Sequence, residues 1–136
     1  MTEANQLAAS EGRTYPAITY GLYLLGLVLT PLPGHIGVSL IVAVVIAYAG
    51  RVRVGPVTRS HFNWLIRTFW LSMLWALAGG AVVAISAAFP HALGAIVVVG
   101  VAILGLAWIW TLIRLLAGAA YLARRAAYPR PRSWLI

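Results

Sequence analysis

Apolar residues dominate the chain from Tyr15 to Tyr128, and polar punctuation cuts them into four blocks. Pro31, Pro33 and Gly34 between Thr30 and His35 form the first break. Gly50, Arg51, Arg53, Gly55, Pro56 and Arg59 form the second, and Phe89-Pro90-His91 the third. Proline lacks a backbone donor and clashes with the preceding turn, so these clusters predict helix ends rather than kinks. Runs such as Leu71–Phe89 and Leu93–Trp110 lack the strict alternation of barrel strands, and helix is the remaining way to satisfy a backbone in lipid. The pattern predicts helices over 14–30, 36–50, 58–88 and 92–127. A polar tail of 1–13 precedes them and a basic one of 129–136 follows.

Composition sharpens this picture. At 62% hydrophobic and 9% charged residues, the chain lies outside the range of soluble domains. The expected architecture is an all-α membrane protein of four transmembrane helices, arranged as two antiparallel hairpins. The outer breaks at 31–35 and 89–91 carry no arginine, whereas the second break carries Arg51, Arg53 and Arg59, and the C-terminal end Arg124, Arg125, Arg130 and Arg132. The positive-inside bias then puts both termini in the cytoplasm. The first two helices are short for a hydrocarbon core of about 30 Å, which implies local thinning or a half-inserted hairpin. The first helix runs into Pro31 and Pro33 without a small-residue cleavage site, so it reads as retained.

Charge also restricts the chemistry. All ten basic residues are arginine, and the two acidic ones, Glu3 and Glu11, precede the first helix. A spanning region without carboxylates offers no acid–base pair and no route for ion coupling. There is no nucleotide-binding glycine motif and no zinc-protease motif. Zero cysteines exclude disulfides and thiolate metal sites. His35 and His91 fall on one side of the predicted topology, but two imidazoles without a third ligand make a poor metal site. The sequence therefore predicts a non-enzymatic protein with no cofactor and no nucleic-acid partner.

Arg67 and Arg114 interrupt long apolar helices and are the candidate site. Counting about 20 residues inward from Pro90 places both near the inner headgroups, flanked by Trp64, Trp70, Trp108 and Trp110 as interfacial anchors. One reading is snorkelling cations within an aromatic belt. The other is a shared site for an anionic headgroup or an acidic partner, drawing on Arg67, Arg114, Asn63, His61, Arg59 and Arg125. Residues 58–70 read as an amphipathic segment at the inner interface, with Phe62, Leu65, Ile66 and Phe69 on one face and Ser60, Asn63, Trp64 and Arg67 on the other. Arg114, Tyr121, Arg125 and Tyr128 form a stripe on the last helix, and His61 is placed to bond a headgroup or a loop carbonyl. Ala76, Gly80, Ala84 and Ala88 recur at intervals of four and predict a close helix-packing face, within the bundle or toward another chain.

Several segments together resemble a family of small bacterial inner-membrane proteins of unknown function. That family is itself grouped with the twenty-kilodalton inner-envelope subunit of the chloroplast protein-import translocon. The segments are Tyr20–Gly26, Gly37 to Tyr48 leading to Arg51, Ser60–Trp70 (Ser-His-Phe-Asn-Trp-Leu-Ile-Arg-Thr-Phe-Trp), and the ending Pro129 to Leu135. The chain departs from the family at Pro31 and Pro33 and in having no acidic residues near the second break. The resemblance implies four helices with both termini inside, and it implies no activity. Three functions stay open: an accessory subunit packed on a larger membrane complex, a homo-oligomeric pore or translocation component lined by Thr19, Thr30, Ser39, Ser72, Ser86 and Thr111, and a protein that binds anionic lipid.

Overall fold

The computed structural model describes residues 14–29, 38–89, 91 and 93–130; these residues are all-helical apart from short turns. Four α-helices follow one another: α1 Thr14–Leu29, α2 Val38–Gly50, α3 Pro56–Ile85 and α4 Leu93–Ala123, with a 3-10 turn, Ser86–Ala88, after α3. The predicted helices therefore lie within a few residues of those observed, except at the C-terminal end of the last. Pro56 opens α3 at the position where a missing N–H is harmless. At 30 and 31 residues, α3 and α4 are about 45 Å long. Both are long and apolar enough to cross a membrane. The 16 and 13 residues of α1 and α2 reach only about 24 and 20 Å.

The chain divides into two compact units. The first comprises α1, α2, α3 up to Phe69, and the described residues from Leu112 onward. Helix α1 buries one stripe (Pro16, Thr19, Tyr20, Tyr23, Gly26 and Leu27), and α2 buries Ala43, Val44, Ala47 and Gly50. The two helices pack on each other. Gly26 makes this possible: a Cβ there would lie 2.6 Å from the Leu40 and Ser39 side chains. Phe62, Trp64, Leu65 and Leu115 complete the core.

The second unit, Trp70–Thr111, is a hairpin of the C-terminal half of α3 and the N-terminal half of α4. Its crossing point is a pair of glycines. A Cβ on Gly79 would meet the Leu104 side chain at 2.7 Å and the Gly100 carbonyl at 3.2 Å. Ala76, Gly80, Ala84 and Ala88, in contrast, are all exposed, and a Cβ on Gly80 would meet nothing within 4 Å. The predicted packing stripe does not pack within this hairpin. The seam runs through Gly79, Val83 and Gly100, because backbone-to-backbone approach needs glycine where the helices cross and is indifferent to alanine elsewhere.

Helix α4 ends at Ala123, four residues before its predicted end. Arg125 adopts φ 55°. The Ala126 N–H donates to the Tyr121 carbonyl at 3.1 Å, and the Arg125 N–H to the Leu122 carbonyl at 3.0 Å. That pair of bonds is a Schellman cap, usually built on glycine. The predicted helical stripe through Arg125 and Tyr128 is therefore broken, because the chain reverses between its members. Arg125→Gly is expected to raise stability by about 0.5–1 kcal/mol by relieving the left-handed backbone. A thermal melt in detergent checks this, and an unchanged or lower midpoint would count against the cap.

Candidate functional site

The predicted site residues divide sharply by burial. Arg114 is fully buried, and so is Trp64. The guanidinium carbon of Arg114 lies 3.5 Å from the Trp64 ring centroid. The Tyr128 ring stacks on the same indole at 3.8 Å and 25°. Two groups so close to one ring cannot share a face, so Trp64 is sandwiched between a cation and a phenol. Each side of this stack is fixed by hydrogen bonds. Trp64 Nε1 donates to the Arg114 carbonyl at 3.1 Å. Arg114 Nε donates to Thr68 Oγ1 at 3.2 Å, and that hydroxyl donates to the Trp64 carbonyl at 2.8 Å. The Tyr128 N–H donates to Ser60 Oγ at 3.0 Å, and Tyr121 meets the Tyr128 ring edge-on at 5.0 Å.

His61 extends the network to α1. Its Nε2 lies 3.0 Å from the Ala126 carbonyl and its Nδ1 lies 3.2 Å from Tyr20 Oη. A carbonyl only accepts, so Nε2 carries a proton; in the neutral ring Nδ1 then accepts from the phenol. The loop-carbonyl reading of His61 is the one realised, and its full burial keeps it from a headgroup. Burial also pushes the Tyr128 phenol above its ordinary value, so it stays neutral.

Two expectations are corrected here. Trp64 is not an interfacial anchor, since none of it is exposed. Arg114 does not snorkel to a surface, and it does not open a shared anionic site with Arg67. It lies in a packed stack against Trp64. The amphipathic pattern of residues 58–70 is followed in part: Phe62, Leu65 and Ile66 are buried and Ser60, Asn63 and Arg67 half-buried, with Trp64 the exception. Phe62, on one predicted face, packs edge-on to Tyr15 at 6.3 Å, while Trp64, on the other, is covered by Arg114 and Tyr128. His61, Phe62, Trp64, Leu65, Ile66 and Thr68 of this segment are buried in the core of the first unit, while Arg59 is exposed.

The remaining predicted residues are more open. Trp70 is exposed, and Trp108, Trp110, Asn63 and Arg67 are half-buried. Arg59 and Arg125 are exposed. Arg59 also braces its own surroundings. Its Nε donates to the Arg51 carbonyl at 3.1 Å and its Nη2 to the Val54 carbonyl at 3.3 Å, which ties down the α2–α3 turn. Arg51 lies 4.9 Å over the Tyr48 ring. Sequence reasoning passed over Arg51, Arg53, Arg124 and Arg130 as site residues, although all four are exposed. The signal was present in their clustering within the two basic segments.

The hydroxyls considered as a pore lining turn mostly to their own helices. Thr19 donates to the Tyr15 carbonyl at 2.9 Å, Ser86 to the Val83 carbonyl at 2.5 Å and Thr111 to the Ala107 carbonyl at 2.7 Å. Ser72 and Thr111 bond to each other at 2.7 Å. Thr30 and His35 lie outside the described residues, as do both tails up to 13 and from 131. Among the described residues no three potential metal ligands come together.

Fold and site together define an all-helical chain with two helices long and apolar enough to cross a membrane, and with a buried arginine–tryptophan–tyrosine stack at the base of α3. Comparison with protein-family models, with curated proteins and with solved structures gives no match.

Proposed function

We propose that this chain is a non-enzymatic, multi-pass protein of a bacterial cytoplasmic membrane, with four spans and both termini inside. It serves as an accessory or scaffold subunit packed against a larger membrane complex. The supporting observation is where its apolar surface lies. Leu74, Leu77, Val98, Val101, Leu106 and Ile109 are each about half exposed or more on helix segments, within 70–111, that carry no charged residue. A helix apolar on every side belongs in a protein core or in lipid, and these faces are open. Several polar side chains within the helices are instead buried, namely Thr19, His61, Thr68, Thr111 and Arg114. The resemblance of Ser60–Trp70 to the small inner-membrane family points in the same direction.

A tagged pull-down from native membranes in mild detergent tests the reading. The expected result is a stoichiometric larger complex. A solitary monomer would overturn the subunit role. Topology is tested separately, and the absence of cysteine gives single-cysteine labelling a clean background. A cysteine at His91 is expected to react from outside, and cysteines at Arg53 and Arg130 only after the membrane is opened. The reverse pattern would overturn the orientation.

A further inference from the structure

The two basic segments are far apart in sequence but are brought to one end of the first unit. The Tyr128 N–H on Ser60 and the Ala126 carbonyl on His61 hold the tail against the start of α3. One residue before Ser60, Arg59 clamps the turn that carries Arg51 and Arg53. Arg51, Arg53, Arg59, Arg124, Arg125 and Arg130 thus form one cluster, and all six are exposed. Both acidic residues of the chain precede Thr14, so no carboxylate lies among the described residues to offset them.

The surroundings select the partner. Val52, between Arg51 and Arg53, is 75% exposed, and Tyr48 one turn earlier is also exposed. On α4, the exposed Ile113 and Leu116 precede the tail arginines. Cations rimming an exposed apolar surface match a bilayer boundary, where acyl chains meet phosphates. An acidic soluble surface would leave that apolar rim uncovered. Resting on the membrane reading above, we infer that this cluster is a docking surface for anionic phospholipid headgroups. The stacking of Tyr128 on Trp64 assembles it. Arg67 and Arg114 do not form it.

The test uses the full chain in vesicles of equal parts phosphatidylcholine and phosphatidylglycerol, followed by extraction and analysis of the retained lipid. The wild type is expected to retain phosphatidylglycerol in several-fold preference. The double variant Arg124→Gln/Arg130→Gln is expected to lower that preference by about tenfold. Tyr128→Ala removes no charge, yet should lower it at least about threefold, since the tail is no longer held beside Arg59. Tyr128→Phe keeps the stack and should keep the preference. Ser60→Ala, which removes the hydrogen bond to the tail together with the local one to the Val57 carbonyl, gives a milder second variant where circular dichroism shows Tyr128→Ala misfolded; it should reduce the preference without loss of helix. Preference intact in folded Tyr128→Ala, or in Ser60→Ala where that variant replaces it, would overturn the assembled surface. No preference in the wild type, with an acidic protein captured through the same arginines instead, would overturn the lipid assignment. Failure of the chain to enter vesicles at all would sink the membrane reading itself.

Discussion

Trp64→Ala is expected to destabilise the first unit by about 5 kcal/mol, most of the stability a domain of this size can have. The indole is fully buried and makes three kinds of contact at once. Its volume alone is worth about 3–5 kcal/mol. Its loss also strips the π-face from the buried Arg114 guanidinium and from the Tyr128 ring, which in desolvated settings adds about 2 and about 1 kcal/mol. These contributions overlap and do not simply add. Arg114→Met should be far milder, below about 1.5 kcal/mol. Methionine fills similar space without a desolvated charge, and the acceptor for Trp64 Nε1 is the residue-114 carbonyl, which the substitution leaves in place. Unfolding by denaturing detergent, followed by near-ultraviolet circular dichroism, ranks the two variants. If Arg114→Met proved as damaging as Trp64→Ala, the stack would be held by the cation and not by the indole.

The second large effect lies at the glycine crossing. Gly100→Ala should cost about 2–3 kcal/mol in the second unit. The new methyl would lie 3.1 Å from the Gly79 carbonyl oxygen and from the Val83 backbone nitrogen, and 2.5 Å from Val83 Cγ2. The Val83 side chain can rotate, but backbone cannot, so relief requires the two helix segments to separate and lose their close contact. Gly80→Ala is the internal control. It meets nothing within 4 Å and should change stability by less than about 1 kcal/mol, on the favourable side, through helix propensity. Limited proteolysis across the α3–α4 turn, or the same unfolding titration, separates them. Equal effects at positions 80 and 100 would contradict the crossing described here.

That contrast shows how far the sequence could be read. The helix boundaries were legible because Pro31, Pro33, Pro56 and Pro90 punctuate the chain by local chemistry. The rotation of α3 about its axis was not. A helix apolar on all sides has no inward face written in its pattern, so Gly79 and Gly80 looked alike and the regular Ala76–Ala88 spacing was the more visible signal. The site was legible in part. Arg114 stood out as a charge within an apolar helix, and a belt of neighbouring tryptophans was the natural reading. What covers Trp64 is Tyr128, 64 positions away in sequence, and nothing local announces that contact. The reversal that delivers Tyr128 was hidden too, because its left-handed position is Arg125 where glycine would have marked a cap. The basic cluster was half visible: both segments could be seen, but not the hydrogen bonds that join them.

The discontinuity of the first unit sets an order of assembly. Trp70–Thr111 is contiguous, so its hairpin can close as soon as its own residues leave the ribosome. The first unit has no such freedom. Tyr20 and His61 are synthesised early, but the carbonyl of Ala126 and the ring of Tyr128 that complete their surroundings arrive only after the intervening hairpin. Until then one face of Trp64 stands open. The first unit is thus completed only when Ala126 and Tyr128 close over residues made near the start, and a nascent chain halted before Tyr128 carries an unfinished core.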